Sequence, residues 1–220
     1  VAGPPAGRVV RRIDMTAGRM ARIQPFHVMA LLARARELEA SGRRIVHMEI
    51  GEPDFETPAP VVAAGIEALR HGHTRYTPAV GLAALRDCIA GFYRERYGVE
   101  VDPGRIIVTP GASAALQLVL ATIVDPGDAV LLTDPGYPCN RNFVHLLNGE
   151  PRGLPVDAAN GYRPTPSQVR DHWDGHARAL MVASPSNPTG TLLDEGELRR
   201  LFETVRTAGG HLVVDEIYHG

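Results

Sequence analysis

Apolar side chains recur at helical spacing along the first half of the chain. In three segments they return every three or four positions, which is the repeat of one helix face. The predicted helices are His27–Ser41, Pro60–His71 and Leu82–Tyr97. Gly42 and Gly72, which directly follow the first two, are typical helix stops. Between these helices, Ile45–Ile50 is predicted as a short extended segment.

The pattern changes in the second half, where short uninterrupted apolar runs alternate with helical stretches. The runs, predicted as strands, are Ile106–Val108, Val130–Leu132, Leu180–Val182 and Leu212–Val214. The helical stretches are Ser113–Val124, Cys139–Leu147 and Asp194–Thr207. Uninterrupted apolar runs are typical of strands buried on both faces, and strands that alternate with helices favour a parallel sheet.

These elements together predict an α/β fold with a mostly parallel sheet and helices on both faces. We interpret residues 1–50 as an N-terminal arm and part of a small domain, and residues 51–220 as a large α/β domain. The start, Val1–Arg12, is rich in Pro, Gly and Arg and is expected to be a loose arm. The sequence ends directly after a predicted strand, so we expect the large domain to be incomplete and to continue in a longer polypeptide.

The amino-acid composition limits the classes of binding partner that are expected for this chain. With 44% apolar residues, 22% charged residues and a net charge of -2, the chain is an ordinary globular sequence. A near-neutral balance gives no electrostatic reason to expect nucleic acid or an anionic membrane as a partner. No apolar run approaches the roughly 20 residues that span a bilayer. Two cysteines are too few for a disulfide framework, which favours a reducing, cytoplasmic setting. The nine histidines show no metal-ligand spacing, so no metal site is predicted.

All 23 basic residues are arginine, and the 220 residues contain no lysine. A genome that favours arginine codons is a sufficient general cause. The chemical consequence is nevertheless specific, because no side chain in this sequence can form a Schiff base with an aldehyde cofactor.

Two loops with candidate binding groups follow the first two predicted strands. Ligands of an open parallel sheet gather beyond the carboxyl ends of its strands. Thr109–Ser113 opens a helix whose bare N–H groups could bind phosphate; the alternative is an ordinary turn in which Ser113 caps the helix. Asp134–Pro138 contains Tyr137, which could lie flat against a planar ring; the alternative is a Pro/Gly turn with a half-buried tyrosine.

The third and fourth predicted strands also end in polar groups. Ser184–Gly190 contains one proline before Asn187 and one after it. The amide of Asn187 can donate a hydrogen bond to an oxygen; the alternative is a plain loop. Asp215 comes at the end of a predicted buried strand, where its carboxylate needs a cationic partner such as a protonated pyridine nitrogen. Tyr218 follows three residues later and could reach the same ligand; the alternative is a solvated acid at a strand end.

These four loops, in this order, resemble the class I/II aminotransferases of the pyridoxal-phosphate (PLP) fold-type I family. The resemblance covers about Ile23 to Gly220. Its motifs are Gly51–Phe55, Tyr76–Pro78 with Gly81 and Leu82, Ser184–Gly190 and Asp215–Tyr218. It implies that PLP takes an amino group from an amino acid, becomes pyridoxamine phosphate and passes the group to a 2-oxo acid.

The resemblance also implies roles for the residues around the cofactor ring. Asp215 would pair with the ring nitrogen and keep it protonated, while Asn187 and Tyr218 would hydrogen-bond the phenolic oxygen. Tyr137 would stack on the ring face.

Further residues are implied in phosphate and substrate binding. Ala112 and Ser113 would hold the phosphate through backbone N–H groups, and Tyr76 would reach the phosphate of a partner subunit, which implies a homodimer. The backbone of Gly51 would contact the substrate carboxylate, with Ile23 near the entrance.

The sequence departs from the family at two points. The catalytic lysine of the family follows the Asp-x-x-Tyr segment by some tens of residues, and a carboxylate-binding arginine lies in the C-terminal small domain; neither falls within these residues. We therefore expect these 220 residues alone to be inactive. Two alternatives remain open: a PLP-dependent lyase of the same fold, such as a cysteine-sulfur lyase, and a non-catalytic PLP-binding module.

Overall fold

The computed structural model describes residues 15–219, so the predicted arm Val1–Arg12 lies outside the described residues. The chain divides into two compact units. We call Phe26–Val119 the helical unit, and Val1–Pro25 with Leu120–Gly220 the sheet unit. The predicted division of the chain into domains at residue 50 stays a prediction.

The helical unit contains three helices where the sequence predicts them. They are α1 (His27–Ala40), α2 (Ala59–Arg70) and α3 (Ala83–Tyr97), followed by a 3-10 turn at Pro103–Arg105. Pro60 lies in the first turn of α2, where a backbone N–H would have no acceptor within the helix, so its absence costs no hydrogen bond. Helix α3 ends at Gly98, whose φ of 66° is the left-handed conformation of a helix stop. A fourth helix, α4 (Ala112–Ile123), crosses the boundary between the units.

The prediction of a strand over Ile106–Val108 is wrong. This segment is not part of a strand, and the N–H of Val108 donates instead to the carbonyl of Val80, at 3.1 Å. Its partner is therefore a loop of the helical unit, and three apolar residues in a row did not specify a strand partner. Ile45–Ile50 is likewise not part of a strand, although it has no helical turns either.

The sheet unit alternates strands and helices. Its elements are β1 (Ala129–Asp134), α5 (Pro138–Leu146), β2 (Glu150–Pro155), α6 (Pro166–His172), β3 (Ala177–Ala183), α7 (Glu195–Thr207) and β4 (His211–Asp215). Two 3-10 turns, Gly18–Arg22 and Ala158–Asn160, complete it. The four strands are all parallel and lie in the order β2-β1-β3-β4. The α/β prediction with a parallel sheet is confirmed.

Strands β1 and β3 form the centre of the sheet and are buried along nearly their whole length. A cluster of buried side chains packs around them. It comprises Leu131, Leu154, Val169, Ala177, Leu180, Val182, Leu193, Leu201 and Val205. The sequence prediction of strands buried on both faces therefore holds for these two strands.

Strand β4 is less buried than the sequence predicts. Its residues Leu212–Asp215 are half-buried, and His211 is exposed. The reason is its place in the sheet, because within residues 15–219 it pairs with β3 alone and forms an edge. Its carboxyl end therefore has more solvent access than a central strand would give it.

Candidate active site

The carboxyl ends of β1, β3 and β4 meet at one edge of the sheet. In the strand register Leu132 of β1 pairs with Met181 of β3, and Ala183 of β3 pairs with Asp215 of β4. The N–H of Ser184 donates to the carbonyl of Asp215 at 3.0 Å, which ties the loop after β3 to the end of β4. Parallel strands thus bring three of the predicted loops to the same place.

One oxygen of the Asp215 carboxylate is hydrogen-bonded within residues 15–219, and the other is not. Its Oδ1 accepts the N–H of Ile217 at 3.0 Å. Its Oδ2 has no hydrogen-bond partner among residues 15–219, and the residue is half-buried rather than buried as predicted. One carboxylate oxygen at the sheet edge can therefore accept a hydrogen bond from a cationic or N–H donor.

Asn187 and Tyr218 are neighbours across the same edge. The Nδ2 of Asn187 donates to the phenolic oxygen of Tyr218 over 3.4 Å, which is a long hydrogen bond. The two side chains lie 31 residues apart in sequence. Their amide and hydroxyl groups can both bond to one acceptor placed between them.

The loop that presents Asn187 is held by its own backbone. The N–H of Ser186 donates to Thr191 at 2.9 Å, and the N–H of Gly190 donates back to Ser186 at 2.8 Å. The hydroxyl of Ser184, which is buried, accepts the N–H of Leu193 at 3.0 Å. These bonds hold the loop on both sides of Asn187 and so fix the position of its backbone.

Tyr137 and Asn187 line one small pocket beyond the ends of β1 and β3. Its walls are Leu132, Thr133, Asp134, Gly136, Tyr137, Asn140, Arg141, Met181, Val182, Ala183, Ser186 and Asn187. The turn before Tyr137 is too tight for a side chain, because a Cβ on Gly136 would collide with the carbonyl oxygen of Thr133. Gly136 thereby allows the chain to turn sharply from β1 into the start of α5, immediately after Tyr137.

Two polar residues of this pocket lie on α5 and were not predicted from the sequence. Asn140 is 9% exposed, and its Oδ1 is buried without a hydrogen-bond partner in the part of the chain that is described. Arg141 forms an ion pair with Asp134, with 2.9 Å between Nη2 and Oδ2. Polar residues fill this stretch of α5, so no sequence pattern distinguishes the buried amide from its exposed neighbours.

Ile23, predicted at the substrate entrance, belongs to the same unit and is half-buried. The next residue is tied to α5 by two reciprocal bonds. The N–H of Gln24 donates to Oδ1 of Asn142 at 3.1 Å, and Nδ2 of Asn142 donates to the Gln24 carbonyl at 2.8 Å. The segment that carries Ile23 is therefore fixed to the helix that begins after Tyr137.

The surroundings of a histidine farther along α5 favour its neutral form. Burial lowers the pKa of His145, and the nearby charge of Arg22 lowers it further. Protonation would place another positive charge beside Arg22 and Arg141, which both oppose it. Burial and the two arginines therefore disfavour a further positive charge on this helix at His145.

The remaining predicted residues lie in the helical unit. Ala112 and Ser113 are the first two residues of α4, directly after Gly111, whose φ is 88°. Because the helix begins at Ala112, Ser113 lies inside its first turn and is not the cap considered in the sequence analysis. The first N–H groups of a helix have no acceptor within it, so those of Ala112 and Ser113 can bind an anion. Gly51 and Tyr76 are both exposed.

Comparison with known proteins identifies the family. The sequence profile described as "Aminotransferase class I and II" matches residues 43–220. The chain belongs to this aminotransferase family. Among curated relatives, it is 36% identical over 206 residues to the (5-formylfuran-3-yl)methyl phosphate transaminase of Methanocaldococcus jannaschii, covering 94% of the chain and 52% of the relative. It is 35% identical to the aspartate aminotransferase of Geobacillus stearothermophilus, covering 92% and 51%.

Solved aminotransferase structures give the same result. An aminotransferase from Mycobacterium tuberculosis superposes with a TM-score of 0.89 at 35% identity, covering 94% of this chain and 53% of that one. The aspartate aminotransferase of Thermus thermophilus with maleate superposes with a TM-score of 0.87 at 34% identity, covering 92% and 53%. The chain thus spans about half the length of the aminotransferases that it matches.

Across residues 15–219, no three side chains of His, Cys, Asp or Glu are grouped so that they could hold a metal ion. In the same residues, no helix combines the length and the apolar character needed to cross a membrane.

Proposed function

We propose that the full-length protein is a PLP-dependent aminotransferase that moves an amino group from an amino acid to a 2-oxo acid. The observation that carries the proposal is the convergence of Asp215, Asn187 and Tyr218 at one edge of the sheet, with Asn187 bonded to Tyr218. Family membership supports the reaction class. The reaction of the whole protein is a proposal because these residues span half the length of the relatives.

The described residues fit PLP. Asp215 offers an unpaired carboxylate oxygen for a protonated ring nitrogen, and Asn187 with Tyr218 offers an amide and a hydroxyl for a ring oxygen. When bound, PLP supplies a carbonyl carbon that accepts the amino group and a ring that withdraws electrons from the substrate.

The residues beyond the strand ends would hold the ring. Asp215 would keep a proton on the ring nitrogen, because a carboxylate next to a pyridine nitrogen favours its charged form. Asn187 and Tyr218 would bind the ring oxygen from one side, and Tyr137 would cover a face of the ring. Each of these residues belongs to the sheet unit, so a single compact unit would position the ring.

Phosphate and substrate would be held by other parts of the chain. The N–H groups of Ala112 and Ser113 at the start of α4 would bind the phosphate, where the helix dipole favours negative charge. Tyr76 is fully exposed and would reach the phosphate site of a second subunit in a homodimer. Gly51 would contact the substrate carboxylate through its backbone, and Ile23 would lie near the entrance.

Proton transfer needs a group from outside these residues. A lysine amine is the usual Schiff-base partner and proton carrier for an aldehyde cofactor, and this sequence has none. We expect the lysine in the other half of the full-length protein, and we expect these 220 residues alone to lack transaminase activity. The second candidate is a PLP-binding module without catalysis, which would apply if the full-length protein supplies no such lysine.

The experiment that tests the proposal is a product assay on the full-length protein with PLP. Pairs of amino acids and 2-oxo acids are supplied, and the new amino acid and new 2-oxo acid are quantified together. Equal amounts of both products support transamination. A 2-oxo acid formed with free ammonia or sulfide, and no new amino acid, would indicate the lyase, while bound PLP without any product would indicate the binding module.

Two variants test whether the activity depends on the residues at the sheet edge. Asp215→Ala removes the carboxylate proposed to protonate the ring and is expected to abolish turnover while the protein stays folded, as checked by circular dichroism. Glu216→Ala, at the adjacent exposed position, is the matched control and is expected to keep activity near that of the wild type. Near-normal transamination by the Asp215 variant would contradict the assignment.

A further inference from the structure

Gly81 belongs to one of the sequence motifs, and the proposed function gives it no role. It closes a tight turn in which its N–H donates to the carbonyl of Pro78 at 2.9 Å. Its φ of 95° lies in the left-handed region that favours glycine. A Cβ on Gly81 would also lie 2.7 Å from both Cβ and Cγ2 of Val108, closer than non-bonded carbon atoms approach. Backbone conformation and close packing therefore both exclude a side chain at this position.

The contact between Gly81 and Val108 joins two loops of the helical unit. The N–H of Val108 donates to the carbonyl of Val80 at 3.1 Å, directly beside the close approach at Gly81. One loop carries Tyr76, five residues before Gly81, and the other leads into α4, whose first residue Ala112 is four residues after Val108. A backbone hydrogen bond and a contact without an intervening side chain thus fix the two loops to each other.

The short segment between Val108 and α4 is held by bonds of its own. The hydroxyl of Thr109 donates to the carbonyl of Gly111 at 2.9 Å, and the N–H of Gly111 donates to the carbonyl of Thr109 at 2.8 Å. The carbonyl of Gly111 also accepts the N–H of Ala115 at 3.3 Å, which ties the segment to the first turn of α4. A displacement of Val108 would therefore move the first N–H groups of α4 as well.

A second glycine of the helical unit shows the contrast. Gly42 has a φ of 87°, close to that of Gly81, and directly follows the end of α1 region at Ser41. Within residues 15–219, a Cβ on Gly42 would have no atom of another residue within 4 Å, apart from its chain neighbours. Backbone conformation alone explains Gly42, whereas Gly81 also needs the space that a side chain would occupy.

We infer that Gly81 is a positioning residue for the cofactor phosphate, because it sets the start of α4 and the loop of Tyr76 in one fixed arrangement. The inference rests on the proposed function, since it takes Tyr76 and the N–H groups of Ala112 and Ser113 to bind that phosphate. In the proposed homodimer these groups serve the phosphates of different subunits. The contact at Gly81 would therefore place one phosphate-binding group in each of the two sites.

The test measures how much the phosphate contributes to cofactor binding by the full-length protein. Dissociation constants for PLP and for pyridoxal, which has the same ring and aldehyde but no phosphate, are obtained by absorbance titration of cofactor-free protein. The ratio of the pyridoxal constant to the PLP constant reports the phosphate contribution. Gly81→Ala is expected to lower this ratio at least about tenfold, because one hydrogen bond to a charged group is worth about that factor or more.

Two further variants separate this role from a general loss of stability. Gly42→Ala introduces similar backbone strain without the collision, so its urea midpoint should fall while the ratio stays within about twofold of the wild type. Val108→Ala removes Cγ2 and adds no strain at Gly81. It should lower the ratio about threefold, a smaller effect because the backbone bond to Val80 remains.

Several results would overturn the inference. An unchanged ratio in folded Gly81→Ala would show that the contact does not position the phosphate-binding groups, and if that variant does not fold, an unchanged ratio in Val108→Ala gives the same answer. Equal losses of PLP and pyridoxal affinity in Gly81→Ala would show a structural role only. A wild type that binds both compounds equally would refute the phosphate assignment, and one that binds neither would refute the proposed function itself.

Discussion

Asp128 stabilises the end of the sheet that lies away from the candidate active site. It immediately precedes β1, and its side chain is only 10% exposed. One carboxylate oxygen, Oδ2, accepts the N–H of Asp125 at 2.9 Å and lies 3.1 Å from Nε of Arg178. The backbone N–H from Asp125 and the positive charge of Arg178 together lower the pKa of Asp128, despite the opposing effect of its burial.

Replacement of Asp128 by alanine is predicted to cost about 2–3 kcal/mol of unfolding free energy. A hydrogen bond to a charged acceptor contributes roughly 1.5–3 kcal/mol. The ion pair adds at most about 1 kcal/mol, because Arg178 is 49% exposed and solvent screens its charge. Urea denaturation of the full-length wild type and Asp128→Ala at neutral pH measures the difference. Arg178→Ala, which removes the ion pair alone, is the control and should lose about 1 kcal/mol or less.

The pH dependence of this difference has a definite sign. The folded-state pKa of Asp128 is lowered relative to its unfolded value of about 3.9, so the stabilisation is complete above that value. It is lost as the pH falls through the folded-state pKa. The difference between wild type and Asp128→Ala should therefore be constant from about pH 7 to 5 and shrink below about pH 4. A difference that grows in acid, or no difference at neutral pH, would refute the reasoning.

Two further predictions concern packing in the sheet unit. Gly210→Ala should destabilise the protein by about 1–3 kcal/mol, because the new Cβ would collide with the indole ring of Trp173 and lie 3.0 Å from the carbonyl oxygen of Arg178; an unchanged melting temperature would contradict it. Leu180→Ala removes a fully buried side chain from the centre of the sheet and should cost about 2–5 kcal/mol in urea denaturation. The matched change at Leu192, which is 60% exposed, should cost far less, and equal losses would show that burial is not the cause.

The central strands were predictable because their sequences carry a strong and simple signal. Runs such as Val130–Leu132 and Leu180–Val182 are apolar at every position, as a strand buried on both faces requires. The edge strand β2 has no such signal, since its sequence contains two prolines, a glycine and two charged residues. Prolines are tolerated there because an edge strand needs hydrogen bonds on one side only.

The failed strand at Ile106–Val108 shows the limit of the same argument. A short apolar run indicates that a segment avoids water, but it does not say whether a strand lies beside it. In this chain the N–H of Val108 bonds to Val80, and no ladder forms. The short helix α6 was missed although its start carries a capping box between Thr165 and Gln168, because seven residues give too little periodicity.

Some residues of the candidate site were likewise predictable from the sequence, and others were not. Tyr137, Asn187 and Asp215 could be proposed from sequence because each follows a recognisable strand, and parallel strands bring their carboxyl ends together. Asn140 could not, because it stands among polar residues on a helix whose buried face is decided by its packing on β1 and β2. Which of two asparagines two residues apart is buried is a property of tertiary structure alone.

The most direct test of the account is a single-turnover reaction of the full-length protein loaded with PLP. An amino acid is added without any 2-oxo acid acceptor, and the visible absorbance of the cofactor and the 2-oxo acid released are followed together. The account predicts loss of the visible band with about one equivalent of 2-oxo acid per active site, and return of the band when a second 2-oxo acid is supplied. A stable visible band with no 2-oxo acid released by any amino acid, or continuous release of 2-oxo acid with ammonia, would contradict it.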